Sequence, residues 1–313
     1  MPIDDEIAAR LHILAGVTLD EVPPPPEVTA KLIAFGEPAA GYRDREADVH
    51  ERLIPGPHGE IRVRIYRPES SAGSRPGLVW LHGGGFVGGD LDMGEADGVA
   101  RELCARVGAT VVSVEYRLCV DGVHFPVPHD DVVAAWLWTV GAADELGIDP
   151  RRLAMGGGSA GGNLAAGAAL RLRDEGLPLP SRLLLVYPVL HLELPPLPPD
   201  FPADADVLPP LLRLTPENIV ALNRNYLGDG VAPTPYAFPA LGDLAGLPPT
   251  VFLTSEYDDL RASAEAFAEA LTAAGVDVIS RCERGVPHGH LNIRGIAATD
   301  RSLDFLAAEL AAT

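Results

Sequence analysis

Arg152-Leu-Ala-Met-Gly-Gly-Gly-Ser159-Ala-Gly-Gly-Asn163 runs from a short apolar strand into a small-residue helix that continues Leu164-Ala-Ala-Gly-Ala-Ala-Leu170. A serine on a sharp strand-to-helix turn is held in a strained conformation that leaves no room for side chains two residues either side. Gly157 and Gly161 meet that demand. Ser159 then stands at the N-terminus of a buried helix, where the dipole favours negative charge and the Ala160 amide can face a developing oxyanion. In a chain with 33 glycines such a turn can also arise without any chemistry, so the reading depends on partners elsewhere.

The first partner lies upstream. Leu78-Val-Trp-Leu81 is an apolar strand that delivers His82-Gly83-Gly84-Gly85 at its carboxyl end, where the ligand loops of open parallel sheets gather. Consecutive glycines let backbone N–H groups approach a substrate closely, and Gly83 and Gly84 are the expected oxyanion donors beside Ala160. No Gly-Lys-Ser/Thr follows and no Gly-x-Gly-x-x-Gly opens a helix here, which argues against a phosphate cradle. His82 is expected to brace the loop rather than move protons.

A nucleophilic serine in this strand-turn-helix setting needs a carboxylate and then a histidine further along the chain. Of nine histidines, only His191, His288 and His290 follow Ser159, and His191 precedes any plausible acid loop. Gly285-Val-Pro-His-Gly-His-Leu291 offers the other two. His288, between a rigid proline and a permissive glycine, reads as the base, with His290 lining the substrate pocket. For the acid, Thr250-Val-Phe-Leu-Thr254 reads as a buried strand running into Ser255-Glu-Tyr-Asp-Asp-Leu260. Either Asp258 or Asp259 could orient an imidazole, the other being an N-cap of the helix expected over 262–274.

Taken together these motifs resemble the bacterial hormone-sensitive-lipase-like esterases of the α/β-hydrolase superfamily. The resemblance spans nearly the whole chain: His82-Gly-Gly-Gly-Phe86, Tyr116-Arg-Leu118, Phe125-Pro126 with Asp131, Gly158-Ser-Ala-Gly-Gly-Asn163, Leu247-Pro-Pro249, Tyr257-Asp-Asp-Leu260 and His288-Gly289. It implies a Ser159–Asp258–His288 triad, Phe86 as a further pocket residue, an acyl-enzyme, and short to medium acyl chains. It also implies a homodimer formed through the last strand and helix. Three departures stand out: Gly158 where aspartate or threonine is usual, Cys119-Val-Asp121 where Ala-Pro-Glu is usual, and His290 where phenylalanine is usual.

The order of elements fits the same architecture. Residues 48–54 and 61–67 read as strands of a hairpin turning at Gly56-Pro-His-Gly59. Strands near 78, 110, 152, 183, 250 and 277 then alternate with helices near 95, 131, 161, 261 and 298, which predicts a mostly parallel sheet with helices on both faces. Two irregular stretches interrupt the alternation. Residues 1–45 hold a helical piece over Ile7–Ala15, a proline run at 23–26 and a second helix from Val28. Residues 191–235 hold a proline-rich run and a helix over Pro216–Tyr226. In the resembled family these regions form a helical cap, so the expected organisation is core segments 46–190 and 236–313 with cap segments 1–45 and 191–235. The alternative is a proline-rich linker between domains.

With 313 residues the chain can bury one large core. A net charge of −20 argues against nucleic acid and anionic membrane surfaces. The acidic opening Met1-Pro-Ile-Asp-Asp-Glu6 is unlike a signal peptide, and no apolar run approaches bilayer length. Cys104, Cys119 and Cys282 lack metal-ligand spacing and read as free thiols in a cytoplasmic protein. The reading is a cytoplasmic, cofactor-free, metal-free serine carboxylesterase acting on a small-molecule ester. Its alternatives are an amidase or arylformamidase with the same triad, and a non-catalytic ligand-binding relative, against which His288 counts.

Overall fold

Alternation of side-chain direction along the inner strands divides the molecule into two packed faces. A computed structural model describes residues 2–18, 21, 23–68 and 73–313; Met1 of the acidic opening and three positions of the first irregular stretch lie outside them. Eight strands form one sheet: β1 Asp48–Ile54, β2 Ile61–Arg67, β3 Arg75–Leu81, β4 Thr110–Glu115, β5 Ile148–Gly158, β6 Leu183–Val186, β7 Thr250–Tyr257 and β8 Val278–Pro287. Their order across the sheet is β1-β2-β4-β3-β5-β6-β7-β8. The expected hairpin pairs Asp48 with Arg67 and Ile54 with Ile61. β2 runs antiparallel to both β1 and β4, and every pairing from β4 onward is parallel.

Val79, Leu81, Val112, Leu183, Leu185 and Phe252 point to one face, packed with residues of the helices Val127–Gly141, Ala160–Asp174 and Arg261–Ala273. Leu78, Trp80, Val111, Leu184, Val186, Val251 and Leu253 point to the other, under the helices Val99–Val107 and Ala297–Ala311. Burial on both faces explains why the inner strands read as continuous apolar runs. A third apolar cluster joins Ile3, Ile7, Leu14, Val17 and Phe35 to Leu208, Leu211 and Leu212 and to Ile293 and Ile296. The Leu211 amide donates to the Val17 carbonyl across the same contact. The two irregular stretches therefore pack on each other and on the sequence just beyond β8.

Two local elements differ from the sequence reading. The N-terminal helical piece is a helix over Asp5–Ala8 followed by a 3-10 turn over Leu11–Leu14. Asp4 caps the first by accepting from the Glu6 amide, while its own amide is held by the Gly285 carbonyl. The helix expected near 95 begins as a π-helical turn, Gly94–Gly98, before becoming α-helical over Val99–Val107. No helix among the described residues is long and apolar enough to cross a membrane.

Candidate active site

Parallel β3, β5, β7 and β8 present their carboxyl ends along one edge, and each delivers a different polar group there. After β5 the backbone turns at Ser159, whose φ of 52° and ψ of −116° place a non-glycine residue in a conformation L side chains rarely adopt. The turn closes tightly. A Cβ on Gly157 would lie 2.5 Å from the Leu81 carbonyl oxygen and one on Gly161 only 2.2 Å from the same oxygen. The Ser159 amide donates to the Val186 carbonyl at 2.9 Å, and the helix starts at Ala160. Ala160 therefore has one of the amides that a helix start leaves without an intrahelical acceptor.

His288 follows β8 and meets this serine. Its Nε2 lies 2.9 Å from Ser159 Oγ, and its Nδ1 lies 2.7 Å from Asp258 Oδ2. Asp258 follows β7 and is fully buried; its other oxygen accepts from the Leu260 amide at 2.9 Å. Both carboxylate oxygens are thus engaged, which fixes the group that orients the imidazole. Burial opposes a charge on His288, but the Asp258 carboxylate, and behind it Glu95 and Asp259, outweigh burial and raise its pKa above the ordinary value.

Asp259 faces the other way. Its two oxygens take Arg213 Nε and Nη2, both at 3.0 Å, in a forked ion pair with the 191–235 stretch. Neither aspartate is the expected N-cap, because the helix Arg261–Ala273 starts after Leu260 with no side-chain cap. Asp258 closes only the short turn before it.

The glycine loop after β3 lies beside the serine: a Cβ on Gly83 would be 3.1 Å from Ser159 Cβ. His82 is buried, stacks on the Tyr116 ring at 4.4 Å and donates from Nδ1 to the Gly83 carbonyl at 2.7 Å. Tyr116 Oη in turn donates to the His82 carbonyl at 2.7 Å. Arg117, next in that motif, pairs with buried Asp131. Gly83 departs from expectation as an oxyanion donor, since its amide donates at 2.6 Å to the carboxylate of Glu95, a residue the sequence reading did not single out. Among the described residues the Gly84 and Gly85 amides have no acceptor within the protein.

His290 also departs from expectation. It is fully buried, with Nδ1 3.0 Å from Ser255 Oγ and Nε2 2.8 Å from Ser302 Oγ, so it belongs to a polar network beneath the site and not to a pocket wall. Burial pushes its pKa down to about 3, and the ring is neutral. Phe86 is 1% exposed and stacks face to face on Tyr226 at 3.9 Å. Tyr226 and Leu222, which sits over Gly85, both come from the helix Pro216–Leu227.

This arrangement is that of an α/β hydrolase. The model of a family described as having the α/β-hydrolase fold matches residues 78–292, and the chain belongs to that family. Carboxylesterase NlhH of Mycobacterium tuberculosis is 38% identical over 277 residues, covering 82% of this chain and 84% of its own length. Carboxylic ester hydrolase LipN of the same organism is 36% identical over 301 residues, covering 93% of this chain and 71% of its own. A hyperthermophilic esterase from the archaeon Pyrobaculum calidifontis superposes with a TM-score of 0.84 at 31% identity, covering 100% of this chain and 99% of that one. The resemblance read from the motifs holds, and within the family the protein is a carboxylic ester hydrolase.

Proposed function

We propose that the protein hydrolyses small-molecule esters of short to medium acyl chain through a covalent acyl-enzyme on Ser159. The observation that carries this reading is the unbroken line Asp258 Oδ2–His288 Nδ1–His288 Nε2–Ser159 Oγ, with links of 2.7 and 2.9 Å. Ser159 Oγ attacks the ester carbonyl carbon as its proton passes to His288 Nε2, while Asp258 holds the proton on Nδ1 and stabilises the imidazolium. The amides of Gly84, Gly85 and Ala160 receive the oxyanion; loss of one such donor typically costs about 3 kcal/mol. The tetrahedral intermediate expels the alcohol, which takes the proton from Nε2. Water then repeats the sequence on the acyl-enzyme, releasing the acid and restoring Ser159.

The stretches 1–45 and 191–235 form a cap in this reading. Their mutual packing supports it, as do Leu222 over Gly85 and Tyr226 against Phe86. Such a cap excludes water and bounds the acyl chain. A chain-length series of p-nitrophenyl esters is expected to give its highest kcat/KM among short to medium chains, with the matching anilides turned over more slowly. A maximum at long chains, or anilides hydrolysed faster than esters, would contradict the proposed substrate class.

The pH profile follows from the raised pKa of His288. The base must be neutral to accept the serine proton, so kcat/KM is lost as pH falls through the folded-state value. Its acid-limb midpoint should therefore lie above the ordinary imidazole value of 6.5. A midpoint below that value would contradict the effect of the neighbouring carboxylates on His288.

A further inference from the structure

Gly158 has no side chain beside the nucleophile, and the reason lies across the site. A Cβ there would sit 2.4 Å from Glu95 Oε1 and 2.5 Å from the Glu95 carboxyl carbon. Glu95 belongs to the π-helical turn Gly94–Gly98, and turns of this kind occur often at functional sites. It is 1% exposed, and both of its oxygens are used. Oε1 accepts from the Gly83 amide at 2.6 Å and Oε2 from the Tyr187 hydroxyl at 2.5 Å. Its backbone is clamped as well: the carbonyl accepts from Trp80 Nε1 at 2.8 Å, and the amide donates to Asn292 Oδ1 at 3.0 Å. Asn292 in turn donates to the Gly289 carbonyl in the histidine turn.

Tyr187 connects this carboxylate to the base. It leaves β6 with a φ of 36°, a strained value for a tyrosine, and its ring meets His288 edge-on at 4.8 Å and His290 at 5.6 Å. Burying a carboxylate costs several kcal/mol unless it is fully paired, and an apolar residue in its place would leave the Gly83 amide and the Tyr187 hydroxyl without this acceptor.

We propose that Glu95 is a positioning residue for ester hydrolysis, filling the space left by Gly158 and fixing the glycine loop through Gly83 and the His288 ring through Tyr187. The inference rests on Ser159 as nucleophile and His288 as base. Burial raises the pKa of Glu95 above the usual carboxylate value, opposed by the Tyr187 hydroxyl, the nearby His288 and the Gly83 amide; when ionised it places a negative charge near the base. The titratable groups around Glu95 are Tyr187, Tyr116 and His288; those around His288 are Asp258, Glu95, Tyr187 and His290, with Asp259, turned toward Arg213, acting only through its charge. Of these, Glu95 is the carboxylate that also holds the glycine loop.

Two variants separate position from charge. Glu95→Gln keeps the shape and an acceptor for the Gly83 amide but removes the charge. The positioning role needs only that shape and acceptor, so Glu95→Gln should keep kcat within severalfold of the native enzyme. Glu95→Ala frees the loop and should lower kcat by up to about 100-fold, the cost of misplacing a reacting group by about 1 Å. KM should stay within about threefold, because ground-state binding is not what Glu95 serves. Gly158→Ala should lower kcat by about tenfold or more in the native background, and much less when combined with Glu95→Ala, because the two side chains compete for one space. A kcat unchanged in Glu95→Ala, or a Gly158→Ala effect equal in both backgrounds, would overturn the proposal. Ser159→Ala assayed alongside separates the two failures: retained turnover there removes the nucleophile assignment, whereas a dead Ser159→Ala with an unchanged kcat in Glu95→Ala removes only the role of Glu95.

Discussion

Ser159→Ala should lower kcat toward p-nitrophenyl butyrate by about a millionfold, the loss seen when a triad serine is removed and only binding and oxyanion contacts remain. The size of the effect follows from the geometry. Ser159 Oγ is the atom within 2.9 Å of His288 Nε2, and alanine leaves nothing to form the covalent intermediate. The fold should persist, since the turn is held by the Ser159 amide to Val186 and by the close approach of Gly157 and Gly161 to Leu81. None of these uses the hydroxyl. An unchanged circular dichroism spectrum and melting temperature beside lost turnover is the expected pair of results. Retained turnover would mean that another group attacks the ester.

Asp258→Asn should cost about 10⁴ in kcat, with the site geometry intact. Asp258 Oδ1 accepts from the Leu260 amide and Oδ2 faces His288 Nδ1. Asparagine satisfies the Leu260 amide with its oxygen, which turns its NH2 toward Nδ1. That arrangement selects the imidazole tautomer protonated on Nε2, and a protonated Nε2 cannot accept the serine proton. Asp259→Asn is the matched comparison. It weakens the forked pair with Arg213 and should lower stability in a denaturant titration, while kcat changes by no more than severalfold. The reverse pattern would place the acid at position 259.

The sheet was legible in the sequence because the inner strands carry apolar runs bounded by turn residues and the first two flank a hairpin turn, and all eight appear there. The Ser159–His288 pairing was legible for a different reason: chain order leaves few histidines after the serine, and Pro287 and Gly289 mark one of them. The choice of Asp258 over Asp259 drew on family resemblance, since nothing local separates two adjacent aspartates. Arg213, which occupies Asp259, lies in another segment of the chain.

The misreadings share one cause. Gly83 reads as a free donor until Glu95, twelve residues further on, is seen to take its amide at 2.6 Å. His290 reads as a pocket residue because it adjoins His288, yet its partners Ser255 and Ser302 come from β7 and the last helix and draw it inward. Gly158 was the visible signal of an unusual neighbour, an empty position beside the nucleophile. What fills it depends on how the π-helical turn packs under the histidine loop, and no spacing rule expresses that contact.

The most direct test is to trap the intermediate. The enzyme is mixed with p-nitrophenyl acetate, quenched in acid within the first turnovers, digested, and its peptides weighed. One acetyl group on the peptide containing Ser159, absent from the Ser159→Ala protein, is the predicted result. An acetyl group carried by another residue on the path to product, or continued turnover with Ser159 unmodified at every quench time, would contradict it.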